Sequence, residues 1–313
     1  MIRVLRKEGK SVREVSRELG RAPSTVTREL QRNEQFADTR VIYPIHAQMK
    51  ANGRRRRAYR KPRLKSKCIQ RYVERKLKQG WSPQLIAGRM KYEGWPETVS
   101  HEAIYQFIYS KRLDLCSCLV RHHRRRKRFE QTKRHSKEKI QNRVSVAFRS
   151  VVANERRQFG HWESDSVASK GNLAGLQVAV ERKSRVILLS KVRTRTGKEA
   201  SNVLVRRLKT FPAKFRRTIT YDNGSENSAH ERTNRMLGTS SFFCDPNQSQ
   251  QKGSVENAIG VLRRTYPTGT DFNEISFQAL KRLERGLNHR PRKCLGFRTA
   301  SEVLLTLGVA LQC

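Results

Sequence analysis

The order of elements predicted from residue 158 onward most constrains the fold of this chain. Three segments with strand-like alternation or apolar runs come first, and helical and extended patterns then alternate. A meander of three strands followed by alternating helices and strands predicts a mixed α/β sheet of five strands, with a long helix and a basic tail at the end. The five predicted strands are "HWESDSVA", "LQVAVERKS", "RVILLSKV", "TITYD" and "SSFFCDP".

The first part of the chain has a helical pattern instead. Residues 11–33 predict two short helices separated by Gly20, with Val26 and Leu30 of the second helix facing inward. Short hydroxyls and a cation on the outer face are typical of a recognition helix in a DNA major groove, and a plain helical hairpin is the alternative. These outward residues are Ser24, Thr25, Thr27 and Arg28.

A second helix-turn-helix is predicted over residues 81–109. Ser82 and Ser100 are expected N-caps of its two helices, because Ser accepts a hydrogen bond from the first turn. Trp81 is interpreted as a core anchor rather than a base-stacking residue. In the first unit, Leu5 lies so near the start that a short or clipped first helix is expected.

The charge of the chain indicates a polyanionic partner. The formal net charge is +41, of which residues 1–150 contribute +27. Two basic runs are interpreted as linkers, and the first, residues 54–65, is also a candidate flexible arm across DNA phosphates. The candidate phosphate contacts in this arm are Arg54, Arg55, Arg56 and Arg57. The predicted divisions are 1–53, 54–80 (linker), 81–120, 121–157 (linker) and 158–313.

Other classes of protein fit less well. No apolar run approaches the roughly 20 residues that span a bilayer, so no membrane association is expected. Six scattered cysteines suit a reduced, cytoplasmic protein. The pair Cys116 and Cys118 with the following histidines is too tightly spaced and too crowded by arginine for a zinc site.

Three acids stand out in the predicted α/β part. Asp165 lies in the first strand, Asp222 ends the fourth and Glu256 opens a helix. Singly, each is explained as a turn or cap residue. They converge if the first and fourth strands are neighbours and the helix packs across their ends. Three such oxygen ligands suit Mg²⁺ or Mn²⁺, and paired ions would clamp both oxygens of an in-line phosphoryl transfer.

Ordered motifs over most of the chain resemble those of the insertion-sequence-thirty family of transposases, within the DDE transposase and retroviral-integrase superfamily. The resemblance extends from residue 10 to residue 304 and includes "LGRAPSTVTREL" and "WSPQLIAGRM" upstream. Its core motifs are "GHWESD", "TYDNGSEN", "FFCDP", "QKGSVEN", "YPTGTDF" and "LNHRPRKCLGF". It implies an all-α helix-turn-helix DNA-binding region joined to a ribonuclease-H-like (integrase) catalytic core.

The resemblance also implies roles for single residues. Asp165, Asp222 and Glu256 match the three catalytic acids, which would bind two Mg²⁺ or Mn²⁺ ions. Arg263 matches a basic residue near the substrate phosphates, with a merely solvated arginine as the alternative, and Lys252 is a further expected DNA contact. Supporting roles behind the metal are expected for Glu163, Asn223 and Asn257. Asn227 and the pair Gln250 and Gln251 depart from the aromatic residues usual in the family.

The implied function is DNA transposition. The helix-turn-helix units would bind terminal inverted repeats, and the core would cleave DNA and transfer the freed strand to a target. Synapsis of two ends implies a homo-oligomer, and a bacterial, nucleoid-associated location is expected. The alternative is a catalytically silent, transposase-derived repressor that only binds DNA.

Overall fold

The computed structural model describes residues 1–33, 44–60, 64, 66–119, 140–171, 174–246 and 248–308. The chain divides into two compact units, Met1–Gln70 and Arg71–Cys313. Within the described ranges, no helix combines the length and the apolar character needed to cross a membrane. The second basic run, residues 121–137, lies outside the described residues.

The first unit contains a small three-helix core. Leu5, Val15 and Val26, one from each of the first three helices, are buried together. The second helix begins with a capping box, in which Ser11 and Glu14 bond each other's backbone N–H. A first helix of six residues precedes the predicted pair, in agreement with the expected short first helix. The helices are α1 (Ile2–Lys7), α2 (Val12–Glu18), α3 (Pro23–Asn33) and α4 (Pro44–Arg60), with α5 (Lys67–Lys78) crossing into the second unit.

The prediction of a flexible basic arm is wrong for residues 54–60, which form the last turns of α4. Residues 67–78, also placed in a linker, are helical as α5. Arginine and lysine have good helix propensity, because their straight side chains lose little freedom on a helix. A basic run between domains is therefore compatible with a helix.

The second helix-turn-helix has the predicted caps. Ser82 Oγ accepts a hydrogen bond from Leu85 N–H at the start of α6 (Pro83–Tyr92), and Ser100 Oγ accepts one from Ala103 N–H at the start of α7 (His101–Lys111). Trp81 is buried, as expected of a core anchor.

A mixed five-stranded sheet forms the centre of the second unit, confirming the predicted fold class. Its strand order is β3-β2-β1-β4-β5. The pairs β1–β2 and β2–β3 are antiparallel, whereas β1–β4 and β4–β5 are parallel. The strands are β1 (His161–Ala168), β2 (Gly175–Glu181), β3 (Ile187–Val192), β4 (Thr218–Tyr221) and β5 (Ser240–Phe243).

Helices cover both faces of this sheet, and side-chain alternation along β1 separates the two cores. The bounds of the remaining helices are α8 (Val151–Asn154), α9 (Gly197–Leu208), α10 (His230–Leu237), α11 (Gly253–Leu262), α12 (Phe277–Asn288) and α13 (Ala300–Leu305). Trp162 faces a core formed with α9, α10 and α13, whereas Val167 faces a core formed with α11 and α12.

Two segments differ from the expected linker and tail. Residues 140–157 pack on the sheet: the backbone carbonyl of Val144 accepts a hydrogen bond from Phe243 N–H at the end of β5, at 2.8 Å. The expected basic tail contains α13, which Thr299 and Glu302 start with a capping box. Glu302 also forms two hydrogen bonds with Arg89 of α6, at 2.6 and 2.8 Å, so a local cap and a long-range ion pair together stabilise this helix.

Candidate active site

The two predicted catalytic aspartates lie side by side, Asp165 within the central strand β1 and Asp222 just after the neighbouring strand β4. In the parallel pairing of β1 with β4, Glu163 is opposite Thr220. Continuing this register by two residues brings Asp165 opposite Asp222, which directly follows β4. The condition that the sequence left open, that the first and fourth strands are neighbours, is therefore met.

A buried lysine bridges this acid pair, Asp165 and Asp222. Lys252 Nζ lies 3.1 Å from Asp165 Oδ2 and 3.3 Å from Asp222 Oδ2, and the lysine is only 3% exposed. Burial alone would lower the pKa of Lys252, but the attraction of both aspartates outweighs it, and the pKa is raised. The expected DNA contact at Lys252 stays a prediction, and its ammonium lies between the acids.

Burial is the main reason why the pKa of Asp165 is raised. The nearby Asp222 acts in the same direction, while Lys252 opposes both. Two carboxylates share a single ammonium, so the cluster keeps an excess of negative charge. Asp222 remains open to solvent, with 39% of its side chain exposed, which leaves this excess charge accessible to a further cation.

Asp222 is held by the loop that follows it. Its Oδ1 accepts hydrogen bonds from Asn227 Nδ2 at 2.7 Å and from Gly224 N–H at 3.1 Å. This leaves Oδ2 directed at Lys252. Asn227, noted as a departure from the usual family pattern, is itself buried and orients the second aspartate.

A fourth carboxylate connects the same loop to β1. Glu226 Oε1 accepts a hydrogen bond from Ser166 Oγ at 2.6 Å and lies 3.3 Å from Arg195 Nη2. Burial tends to raise the pKa of Glu226, but the bonds from Ser166 and Arg195 outweigh it and the pKa is lowered. Glu226 therefore stabilises the loop as a carboxylate that already has its partners.

Glu163 lies on the same face of β1 as Asp165 but contacts other groups. Its Oε2 accepts hydrogen bonds from the N–H groups of Ser254 and Val255, at 2.8 and 3.0 Å, in the first turn of α11. Its Oε1 pairs with Arg182 Nη1 at 2.5 Å. Both carboxyl oxygens are thus used inside the protein, which differs from the expected place in the outer shell of a metal.

Arg182 completes this arrangement, which we call the β1–α11 clamp (Glu163, Arg182 and the N–H groups of Ser254 and Val255). Arg182 also donates to the backbone carbonyl of Ala153 at 3.2 Å and is 4% exposed. Burial lowers the pKa of Arg182, and the negative charge of Glu163 counteracts it. The clamp fixes the start of α11 against β1, and α11 carries Glu256.

The third acid is less closely joined to the pair. Glu256 lies in the first turn of α11 and is partly exposed. Among the described residues, no group of three or more His, Cys, Asp or Glu side chains is arranged to bind a metal ion. The structure therefore brings together Asp165 and Asp222 and leaves Glu256 on the adjacent helix.

The remaining predicted core residues lie around α11 and β5. Arg263 follows α11 and donates to the carbonyl of Pro267 at 3.1 Å; burial lowers its pKa. Asn223 donates to the Cys244 carbonyl at 2.9 Å. Asn257 is exposed on α11. The expected roles of these three residues stay predictions.

The donor chemistry of the site fits a hard divalent cation. Asp165 and Asp222 supply carboxylate oxygens, the ligand type that Mg²⁺ and Mn²⁺ prefer. Both already lie within 3.3 Å of one cationic nitrogen. The Lys252 ammonium thus lies at the position between the two aspartates that favours a cation. Glu256, in the first turn of the adjacent helix α11, is the candidate for a third ligand.

The predicted recognition residues lie at the surface of α3. Ser24, Thr25, Thr27 and Arg28 are exposed, whereas Val26 between them is buried. Arg54 and Arg55 are exposed on α4, and the side chains of Arg56 and Arg57 lie outside the described residues. The outer face of α3 is thus available to a partner.

Sequence reasoning missed Arg182, Glu226 and the position of Lys252. All three residues are charged, as most surface residues are, and their neighbours in the sequence do not indicate that they are buried. The signal for Arg182 was its place at the end of a buried strand, where a cation needs a carboxylate partner.

Comparison with known proteins gives consistent results over the chain. A family model described as a helix-turn-helix domain matches residues 1–33. The chain is 35% identical over 97% of its length to the transposase for insertion sequence element IS1086 of Cupriavidus metallidurans, covering 91% of that protein. It is 31% identical over 96% of its length to transposase InsI for insertion sequence element IS30A of Escherichia coli, covering 80% of it.

A further transposase and a solved integrase structure are also similar to the chain. The transposase for insertion sequence element IS4351 of Bacteroides fragilis is 32% identical over 93% of this chain, with 89% of that protein covered. Among solved structures, the catalytic core domain of BIV integrase is similar with a TM-score of 0.37 at 22% identity, covering 47% of this chain and 95% of that one.

Proposed function

The chain belongs to the insertion-sequence-thirty (IS30) family of transposases, and from this premise we propose that it cleaves the ends of its element and joins them to target DNA. The observation that carries the proposal is the acid pair. Asp165 within β1 and Asp222 just after β4 lie next to each other on neighbouring parallel strands and contact the same cationic nitrogen.

Asp165, Asp222 and Glu256 would hold Mg²⁺ or Mn²⁺, two ions in each site. When bound, such ions polarise the phosphoryl oxygens and make the attacking hydroxyl more acidic. The clamp at Glu163 fixes α11 beside β1, so the helix that carries Glu256 keeps its place next to the acid pair. Asn227 keeps the second aspartate oriented.

The proposed reaction has two phosphoryl transfers. In the first, a water oxygen bonds to phosphorus at the element end, the bond from phosphorus to the 3′ oxygen breaks, and a 3′-hydroxyl is released. In the second, this hydroxyl oxygen bonds to a target phosphorus and displaces the 3′ oxygen of the target strand. No side chain becomes covalently attached in either transfer.

Binding of the element ends is assigned to the helix-turn-helix units. The exposed hydroxyls and Arg28 on α3 suit contacts to base edges and phosphates. The excess of basic residues supplies a salt-dependent affinity for any DNA. The chain would act as a homo-oligomer on two ends, in the bacterial cytoplasm with the nucleoid.

A cleavage assay tests the proposal. A labelled duplex carrying the element's end is incubated with Mg²⁺ or Mn²⁺ and wild-type protein, Asp222→Asn, or the matched surface control Asp114→Asn. We expect nicking by wild type and control, no nicking by Asp222→Asn, and equal end binding by all three. Tight binding without nicking by any of them would favour the silent repressor.

A further inference from the structure

A basic groove lies in the second unit between three segments that are distant in sequence. Its volume is about 500 Å³, and it is lined by the end of α5 and the turn after it, the C-terminal end of α11, and α12 with the residues that follow. Its cationic residues are Lys76, Arg264, Arg282, Arg285 and Arg290, joined by His289. Among the described residues, no aspartate or glutamate lines it.

The arginines of this groove have no partners within the described protein. None of the four groove arginines forms an ion pair: Arg264, Arg282, Arg285 and Arg290. Glu284 of α12, in contrast, pairs with Arg207 of α9 at 2.6 Å. The cations are thus left for a partner outside the chain.

The pKa of Arg290 is lowered, and repulsion from a neighbouring groove arginine contributes to this shift. Burial, followed by the charges of Arg264 and Arg292, lowers the pKa of Arg290 to about 10. The arginine remains charged at neutral pH, so the repulsion persists in the free protein. A polyanion in the groove would relieve it.

The spacing of the cations suits an extended anion better than a compact one. Arg282 and Arg285 lie three residues apart on one face of α12, and His289, four residues further on and just after the helix, extends this row of nitrogen donors to about 10 Å. Between the cations the floor is apolar, with Val261, Leu283 and Leu287. A sugar–phosphate strand has both a row of negative charges and carbon-rich sugar rings.

We propose that this groove binds the sugar–phosphate backbone of DNA, at a site separate from the acid pair and from the recognition helix α3. The inference rests on the proposed function only in that DNA is the partner. The groove begins at Val261, five residues beyond Glu256 on α11, about 7.5 Å along the helix axis. DNA held there would lie beside the helix that carries the third acid.

The test compares two full-length variants that lose the same charge. The groove variant is Arg282→Gln with Arg285→Gln, and the control is Arg206→Gln with Arg235→Gln, two exposed arginines on α9 and α10. Affinity for a duplex lacking the element's ends is measured over a range of salt concentrations, after thermal melts verify that both variants fold. Each phosphate contact contributes about 0.9 to the slope of log affinity against log salt concentration. The slope of the groove variant is therefore expected to be smaller by about 1.8 than that of wild type, and the slope of the control is expected to be nearly unchanged.

Equal slopes for the groove variant and the control would overturn the inference. A loss of affinity for poly-glutamate without a loss for DNA would overturn it too, because the groove would then serve an acidic protein. Neither result would bear on the proposed function, which is tested separately by metal-dependent nicking of the element's end. Loss of nicking in Asp222→Asn with an unchanged groove slope would separate the two claims.

Discussion

Two carboxylates on β1, only two residues apart and on the same face, have opposite surroundings. Glu163 is fully buried, and both of its oxygens are satisfied by Arg182 and by two backbone N–H groups. Asp165 is partly exposed and shares one ammonium with Asp222. The difference teaches that two carboxylates on one strand face can differ in kind: Glu163 is neutralised inside the protein, whereas Asp165 belongs to a cluster with excess negative charge, to which we assign the proposed chemistry.

The largest effect is expected at the chemical carboxylate. Asp165→Asn removes an oxygen of the proposed metal site, a loss worth several kcal/mol in a phosphoryl transfer, so strand cleavage should fall by about 10³-fold or more. Gel-based cleavage of the labelled end measures it, with binding to the same duplex as the control. Cleavage within a few-fold of wild type would show that this aspartate is not a ligand.

The next effect is expected at the structural carboxylate. Glu163→Gln leaves the buried Arg182 without a charged partner, and breaking such a pair costs about 3–5 kcal/mol of unfolding free energy. Urea denaturation measures this loss. The exposed Glu274→Gln is the matched control and should change stability by less than about 0.5 kcal/mol. Equal stability of the two variants would contradict a stabilising role of the β1–α11 clamp.

A smaller effect is expected at the amide that orients Asp222. Asn227→Ala deletes the 2.7 Å hydrogen bond to Asp222 Oδ1, and such supporting contacts change metal affinity by about 10–100-fold. The Mn²⁺ concentration that supports half-maximal cleavage should rise accordingly. Asn202→Ala, at an exposed position on α9, is the control of the same residue type. A rise of the same size in both variants would exclude a specific role for Asn227.

The smallest effect is expected at Glu226 and depends on pH. Its pKa in the folded protein is lowered below the ordinary value of 4.5, so its carboxylate stabilises the fold above that pH, and this contribution is lost as the pH falls through the folded value. Glu226→Gln should therefore cost about 1 kcal/mol at pH 7 and progressively less below pH 4.5. Thermal melts across this range measure it; a cost that does not change with pH would contradict the assigned partners.

Much of this arrangement could be predicted from the sequence. The alternation in "HWESDSVA" predicts β1 with the bounds observed, His161–Ala168, and acids on the first and fourth strands predict that Asp165 and Asp222 meet if those strands are neighbours. Turn and cap chemistry is local, so Ser82 and Ser100 were recognised as caps. These features depend on residues close together in the chain.

The features that were missed depend on distant residues. Lys252 is one basic residue among many, and only its burial against two aspartates of other elements distinguishes it. The role of Glu163 depends on where α11 starts in space, which periodicity along β1 does not encode. The helix α13 was mistaken for a tail, because its stability comes partly from Arg89, more than 200 residues away.

The most direct test of the two-carboxylate account is a thermal melt of Asp165→Asn and Glu163→Gln measured side by side in the absence of divalent metal. Asparagine has the shape of Asp165 and retains an oxygen for the N–H of Ser166, so the account predicts a melting temperature close to that of wild type. Glu163→Gln should melt clearly lower. Equal destabilisation of the two variants, or a lower melting temperature for Asp165→Asn, would contradict the division between a structural and a chemical carboxylate on β1.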